Sequence, residues 1–571
     1  MTKPFGFRQH YMILFCFLVF SFVVLVSAYL TRIAPAADLS YYSPSVFNLF
    51  FYVPVSMWIG IVGLCGLFIY LFINPKGLSP VFTNAFMFLI MLLLLGVFFG
   101  LPYAVENNPR FVDSWVHGST AKNVLETHFL NPQRQNLYVS YPLSFTFLSV
   151  LSSFCNLDLT VLLRFLPLGL VLMFFTSLTV FFNKLSNDFR LSLVTVFVFA
   201  LTTFYFAFHF SPEIFGWLFF LLFFAFLAKA MHLSHMGTAI SKSDSVIIMF
   251  LIVAIALTHP VTQFTILIIL TTLVVLGSVF WKVRYVSSNF LLFAAIVFVA
   301  WTTYFGFLYF KIIIEGFQNA FQTIILSPSA SIASRAVTTY TPPAVEGLSW
   351  FRRILYAFTL LIGVFGGFLF FRKKRHSFRF MLTFIITALL MLPFTLVGIL
   401  PLERPIKILF LPLSLFVAFL ISDKKKLGVL LLAFVLLTIP INFASVYWGE
   451  ASTMTHDWEL NSAQFVSGNF NGNLLAEFKE VGIMEYYGSF NAVFNDYSLY
   501  GERPNIFNIT FIEQEHVEVV YITQLTLERA TGLGIEVGLD SFGNSTKFNC
   551  VHSNGYSSVF FRKDVLSSSL P

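Results

Sequence analysis

Apolar runs of membrane-crossing length recur along the chain, at residues 11–30, 51–74, 83–101, 159–182, 191–209, 213–230, 245–258, 262–280, 290–310, 354–371, 379–400, 405–421 and 427–446. A helix crosses the hydrocarbon core of a bilayer in about 20 residues, so each run is expected to be a span, thirteen in all. The run 245–258 is short and ends in His259-Pro260. The stretch 139–156 is apolar too, and counting it as a span would give fourteen and reverse the sidedness of everything after it.

Charge arbitrates. With thirteen spans and a cytoplasmic N-terminus, the inner loops hold Lys3, Arg8, Lys76, Lys184, Arg190, Lys229, Lys242, Lys282, Arg284, the cluster Arg372–Arg375 and Lys424–Lys426. The loops on the other side are longer and sparser in Lys and Arg, which is the bias of the positive-inside rule. The stretch 139–156 is therefore read as a helix lying in or dipping into the outer interface. An uncleaved first span is expected, although Ala34–Ala37 ("APAA") resembles a signal-peptide cleavage site.

Composition agrees with the pattern. Of 571 residues, 57% are hydrophobic and 11% charged, with mean hydropathy +0.82. A soluble domain carries about 25% charged residues. The net charge of +7 is explained first by topology, and no nucleic-acid partner is expected. Cys16, Cys65 and Cys155 lie in apolar stretches and Cys550 stands alone in the tail, so neither a disulfide framework nor a zinc site is indicated.

The expected architecture is a polytopic α-helical membrane protein with a C-terminal extracytoplasmic α/β domain. It divides into a two-span extension (1–82), a transmembrane domain (83–446) with outer loops 102–138 and 311–352, and a soluble domain (447–571). Strand-like runs such as "VEVVYITQL" and "SSVFFRK" fall in the last. So do two glycosylation sequons, at Asn508 and Asn544.

Polar residues gather at the outer turns. Asp113 and His117 are four apart, so a helix would put them on one face. A carboxylate there could act as a general base, bind a divalent cation or orient His117; the bland alternative is an incidental pair on a solvated loop. His209 and Glu213 flank Ser211-Pro212, His259 heads the next turn with Thr262 and Gln263, and Glu403, Arg404 and Lys407 precede the twelfth span. Arg164 lies inside the fourth span, where a charge costs at least about 2.5–3.5 kcal/mol unless it faces a cavity or partner. A lipid phosphate suits Arg164 or Arg404, because guanidinium pairs with it bidentately.

Asp113-x-x-x-His117, Tyr141-Pro142 with an interfacial helix, and Arg164 early in the next span together resemble the first extracytoplasmic loop of GT-C-fold glycosyltransferases. That superfamily includes protein O-mannosyltransferases, oligosaccharyltransferases and many archaeal membrane proteins. "HFSPE" at His209–Glu213, "LTHPVTQ" at Leu257–Gln263 and "ERPIKILFLPLS" at Glu403–Ser414 are similar to archaeal members. The resemblance is diffuse and covers residues 83–571. It implies an enzyme of the plasma membrane that takes a sugar from a polyprenyl (dolichyl) phosphate donor and gives it to a glycan or protein acceptor on the outer face. It further implies Asp113 as base or as ligand to a divalent cation such as Mg or Mn, and Glu346, in the loop 311–352, as a second carboxylate. The sequence departs from the family where a second acid is usual: Ser114 follows Asp113, and Glu106 is the nearest upstream acid. In the soluble domain only "MEYYG", Met484–Gly488, approaches the oligosaccharyltransferase motif. Two rival readings stand beside the enzyme. One is a non-catalytic cell-envelope scaffold. The other is a transporter or flippase, disfavoured because no paired halves are visible and the polar groups sit at one face rather than at the midplane.

Overall fold

The computed structural model describes residues 5–33, 53–73, 78–130, 137–202, 208–235, 240–283, 285–307, 343–396, 402–447, 457–470, 473–487, 491–495, 517–523, 548–553 and 557–563, with a few single positions between them. Among the described residues sixteen α-helices precede the tail: α1 (Phe5–Ile33), α2 (Val55–Ile73), α3 (Pro80–Val105), α4 (Val112–Thr127), α5 (Leu143–Cys155), α6 (Leu159–Ser186), α7 (Phe189–Thr202), α8 (Pro212–His235), α9 (Lys242–Ala256), α10 (Pro260–Val275), α11 (Ser288–Tyr304), α12 (Pro343–Lys373), α13 (Arg375–Leu396), α14 (Glu403–Asp423), α15 (Lys425–Leu437) and α16 (Ile439–Tyr447).

Among the described residues, ten helices are long and apolar enough to cross a membrane. Each of the thirteen expected spans has a helix, but α7, α9 and α11 run for only 14, 15 and 17 residues. At about 1.5 Å per residue these fall short of a full hydrocarbon core. Among the described residues the thirteen expected runs therefore give ten helices of spanning length and three shorter helical stretches. The stretch 139–156 yields α5, 13 residues long, which is shorter still. Large side chains such as Phe15, Phe22, Phe250 and Leu361 point outward from these helices, which is inexpensive only where the solvent is lipid.

Past Lys407, helix α14 is apolar and almost wholly buried, and it packs against α7, α12, α13 and α15, so it is the central helix of the bundle. The contacts between helix ends sort the turns into two ends. At one end Leu185 O meets both His232 Nε2 (3.2 Å) and the Ser377 hydroxyl (3.0 Å), Lys229 pairs with Asp244 at 2.9 Å, and Lys373 pairs with Asp423. This end carries the Lys and Arg clusters. The other end carries α4, α5 and the turns before α8, α10 and α14.

The tail leaves the bundle at the α4 end. It comprises α17 (Asp457–Asn469), β1 (Asn473–Glu477), α18 (Phe478–Tyr487), β2 (Asn491–Asn495), β3 (Val519–Thr523), β4 (Phe548–Ser553) and β5 (Ser557–Arg562). The strands form one sheet in the order β2-β1-β3-β5-β4, with β1 parallel to β2 and β3, and β5 antiparallel to β3 and β4. Every residue of β3 is buried, matching its continuous run "VVYIT" and a strand covered on both faces.

The sheet domain docks through α18 onto α4. Gly482 permits the contact: a Cβ there would stand 2.9 Å from both Val112 Cγ1 and Val116 Cγ2. Trp115 packs edge-on against Tyr486 (centroids 5.1 Å apart) and donates its indole N–H to the Thr455 hydroxyl at 2.9 Å. Lys122 Nζ donates to the Tyr486 carbonyl at 3.0 Å, and Asn108 bonds to Asp457 at 2.8 Å. The "MEYYG" string therefore serves here as the docking face of the tail.

Candidate functional site

Helix α4 begins abruptly. Phe111, its N-cap, has φ 70° and ψ 134°, a region a bulky side chain occupies only under constraint, at about 1–3 kcal/mol. The constraint is visible on both sides. Upstream, Arg110 and Glu106 form a buried ion pair at 3.3 Å, and the Arg110 guanidinium lies 5.4 Å from the Phe111 ring. On the far side, Phe111 packs against the His209 ring, centroids 5.1 Å apart. Glu106, the nearest candidate for a second acid, is thus spent on holding the entry to α4.

This entry aims Asp113 at His209, whose Nε2 stands 3.4 Å from a carboxylate oxygen, with the Asp113 side chain half-exposed. Burial would raise the Asp113 carboxyl, but the His209 hydrogen bond, reinforced by the charges of His209, His117 and Arg404, outweighs it and holds the value at about 2. One turn on, His117 is buried against Phe145 of α5 (ring centroids 5.6 Å apart). Burial first, then His209 and His259, push His117 down to about 4 against the upward pull of Asp113. His117 is neutral at pH 7 while Asp113 is charged.

His259 caps α10. The Thr262 N–H donates to His259 Nδ1 at 3.3 Å, and the Thr262 hydroxyl is 2.9 Å from the same nitrogen. A nitrogen that accepts from the backbone carries no proton, so the neutral ring bears its hydrogen on Nε2. Burial, then Lys407, hold His259 at about 3. Gly216 of α8 faces this cap; a Cβ there would meet the Thr262 hydroxyl at 2.9 Å and His259 Cβ at 3.0 Å. That absence of a side chain lets α8 and α10 bring the His209–Glu213 turn beside His259.

Glu213, in the first turn of α8, closes the set. It forms a close ion pair with Arg404 and a second with Lys407 at 3.1 Å; Lys407 also reaches Glu403 at 3.7 Å. The expectations for Arg404 and Glu213 change accordingly. Both are expected to contact substrate, and they also engage each other, because opposite charges shielded from water need a close partner.

Asp113, His117, His209, Glu213, His259 and Arg404, expected from four separate turns, are brought to one end of the bundle. Arg164 is not part of their ion pairs among the described residues; its guanidinium lies over the Phe165 ring at 4.6 Å. The side chain of Glu346, in the first turns of α12, and the sequons at Asn508 and Asn544 lie outside the described residues. The Glu106–Arg110 pair and the role of Lys407 were missed. Their i,i+4 spacings, 106–110 and 403–407, were the available signals.

Among the described residues no group of three or more His, Cys, Asp or Glu is arranged to hold a metal, and Asp113 is engaged by His209. No family model and no curated protein matches the chain. Among solved structures it is similar to an oligosaccharyltransferase of Archaeoglobus fulgidus, crystallised with a disulfide-tethered acceptor peptide that contains the NVT sequon. The two are 11% identical, with 78% of this chain and 71% of that chain covered, at a TM-score of 0.49. A likeness of that size fixes neither activity nor residues for this chain.

Proposed function

We propose that the chain is a membrane glycosyltransferase that moves a sugar from a polyprenyl-phosphate donor to a glycan or protein acceptor on the outer face of the plasma membrane. The observation that carries this reading is the convergence of a charged carboxylate, Asp113, with two buried neutral imidazoles, His117 and His259, beneath the docked tail. Binding groups that differ so sharply in protonation at one place are the mark of acid–base work. The position of the Lys and Arg clusters at the far end supports an outer-face site.

The chemistry follows from the groups present. The acceptor donates its hydrogen bond to Asp113. A carboxylate held near 2 is a weak base, so it orients the acceptor and takes its proton only as the new bond to the anomeric carbon forms. The bond between that carbon and the phosphate oxygen breaks in the same step, and the electron pair leaves on the lipid phosphate. Arg404 and Lys407 are the cations available to stabilise that charge, by exchanging part of their pairing with Glu213.

The scaffold reading draws on one observation, the existing neutralisation of Arg404 and Lys407 by Glu213 and Glu403. Outer-face transfer from polyprenyl-phosphate sugars in proteoliposomes separates the two. Transfer that is present in the wild type and abolished by Asp113→Asn is expected; transfer that survives the substitution removes Asp113 from the chemistry.

A further inference from the structure

Around the two neutral histidines the bundle buries polar atoms that nothing among the described residues satisfies. The amide of Gln263 is buried, and neither its oxygen nor its nitrogen has a hydrogen-bond partner. The hydroxyls of Ser114 and Ser144 are fully buried and equally without partners. A buried amide or hydroxyl left unsatisfied costs about 1–3 kcal/mol, and native proteins keep few such groups.

The three residues stand on helix turns that contact one another. Gln263 follows His259 by four residues, which places it on the same face of α10 as that cap. Ser114 precedes His117 by three on α4. Helices α4 and α5 run side by side in the same direction: His117 packs on Phe145, and the Ser149 hydroxyl donates to the Ala121 carbonyl at 2.7 Å, one turn further along both. Ser144, beside Phe145, therefore lies at the level of Ser114 and His117. The Leu143 N–H donates to the Leu257 carbonyl at 3.1 Å, which ties the start of α5 to the turn that carries His259.

We propose that Gln263, with Ser114 and Ser144, forms a carbohydrate subsite that binds the hydroxyls of the transferred sugar. The match is chemical. A carboxamide offers one acceptor and two donors side by side, the complement of a vicinal diol, and the serine hydroxyls donate or accept as needed. All these groups are neutral and flanked by neutral imidazoles, which suits an uncharged polyol, while the charged groups Asp113, Arg404 and Lys407 lie to the side where a phosphate would be. A site built to hydrogen-bond hydroxyls rejects ligands that lack them, because its own polar atoms then stay unpaired. The subsite rests on the glycosyltransferase reading for the identity of its ligand but not for its measurement.

The test compares two lipids in nanodiscs, a polyprenyl phosphate bearing a hexose and the same polyprenyl phosphate without it. Wild-type protein is expected to bind the hexose-bearing lipid more tightly. Gln263→Leu, close in size, should weaken that lipid by about tenfold and leave the bare lipid phosphate unchanged, with the melting temperature of the ligand-free protein equal or higher. The raised melting temperature is what a packing role would not produce. Three results overturn the proposal: no preference for the hexose in the wild type, equal weakening of both lipids by Gln263→Leu, or a lower melting temperature with the preference intact, as when a structural water satisfies the amide. Tight, hexose-dependent binding without any transfer leaves the subsite standing and removes the enzyme reading instead.

Discussion

At the basic end of the bundle Asp244 meets Lys229 and Asp423 meets Lys373, and in each pair the lysine stays about half in water. At the opposite end Glu213 meets Arg404 and Lys407 with all three largely shielded, and Asp113 meets a histidine ring instead of a lysine. The residue types are the same and the surroundings differ. In water an ion pair contributes little, because each charge is already solvated. Out of water the same charges become interdependent, and a neighbour such as His117 is held neutral by burial. The basic end keeps its charges solvated; the other end holds the groups whose titration is perturbed.

The sharpest way to break this contrast is at Asp113. Asp113→Asn is expected to lower sugar transfer by at least about a hundredfold, the scale of a lost general base, without changing the melting temperature by more than a small amount, since the side chain is half-exposed. A loss of folding rather than of rate would place Asp113 with the structural ion pairs.

Next in size is the asymmetry between ion pairs. Glu213→Gln leaves Arg404 and Lys407 without their shared carboxylate and should destabilise the protein by about 3 kcal/mol, read by thermal unfolding in detergent. Asp244→Asn, at the basic end, should cost no more than about 1 kcal/mol. Equal losses would show that the two ends do not differ in kind.

The docked tail supplies the third comparison. Gly482→Ala places a methyl group 2.9 Å from Val112 and Val116, the residues that bracket Asp113 along α4. A displacement approaching 1 Å there should slow transfer by about tenfold or more. Gly468→Ala on α17, where a Cβ meets nothing within 4 Å, should leave transfer unchanged.

The smallest effect is in pH. His117 is neutral above about 4, so transfer should hold from neutral pH down to about 5 and fall below it as the ring protonates. Stability has the same sign. The folded value lies below the ordinary 6.5, so the unfolded chain binds the extra proton and stability declines as pH falls from about 6.5 to about 4. Asp113 raises His117, so Asp113→Asn should move the His117 titration to lower pH. Histidine NMR that shows it moving upward would break the assignment of the Asp113–His117 coupling.

Most of the helices were legible from the runs of apolar residues, because in lipid the backbone must satisfy its own hydrogen bonds and a long apolar run has few other options. The level of Asp113, His209, His259 and Arg404 was legible too, since each follows directly from its position at a helix end. What was not legible was partnership. Arg164 and Arg404 are equivalent in sequence as basic residues near outer turns, yet among the described residues Arg404 pairs with Glu213 while the Arg164 guanidinium lies over the Phe165 ring, and nothing local distinguishes them. The ends of α9 and α11 were also hidden, because hydropathy marks where apolar residues lie and not where a helix stops.

The sequence by itself determined a helical membrane protein with polar turns at one end, because a period-independent excess of apolar residues and the placement of Lys and Arg suffice for both. Only the tertiary structure decided that Asp113 touches His209, that Glu213 is shared by Arg404 and Lys407, and that the "MEYYG" string clamps α4 through Tyr486. Each of these contacts joins helices far apart in the chain. Packing decides them through close approaches such as those at Gly216 and Gly482, which local residue preference does not encode.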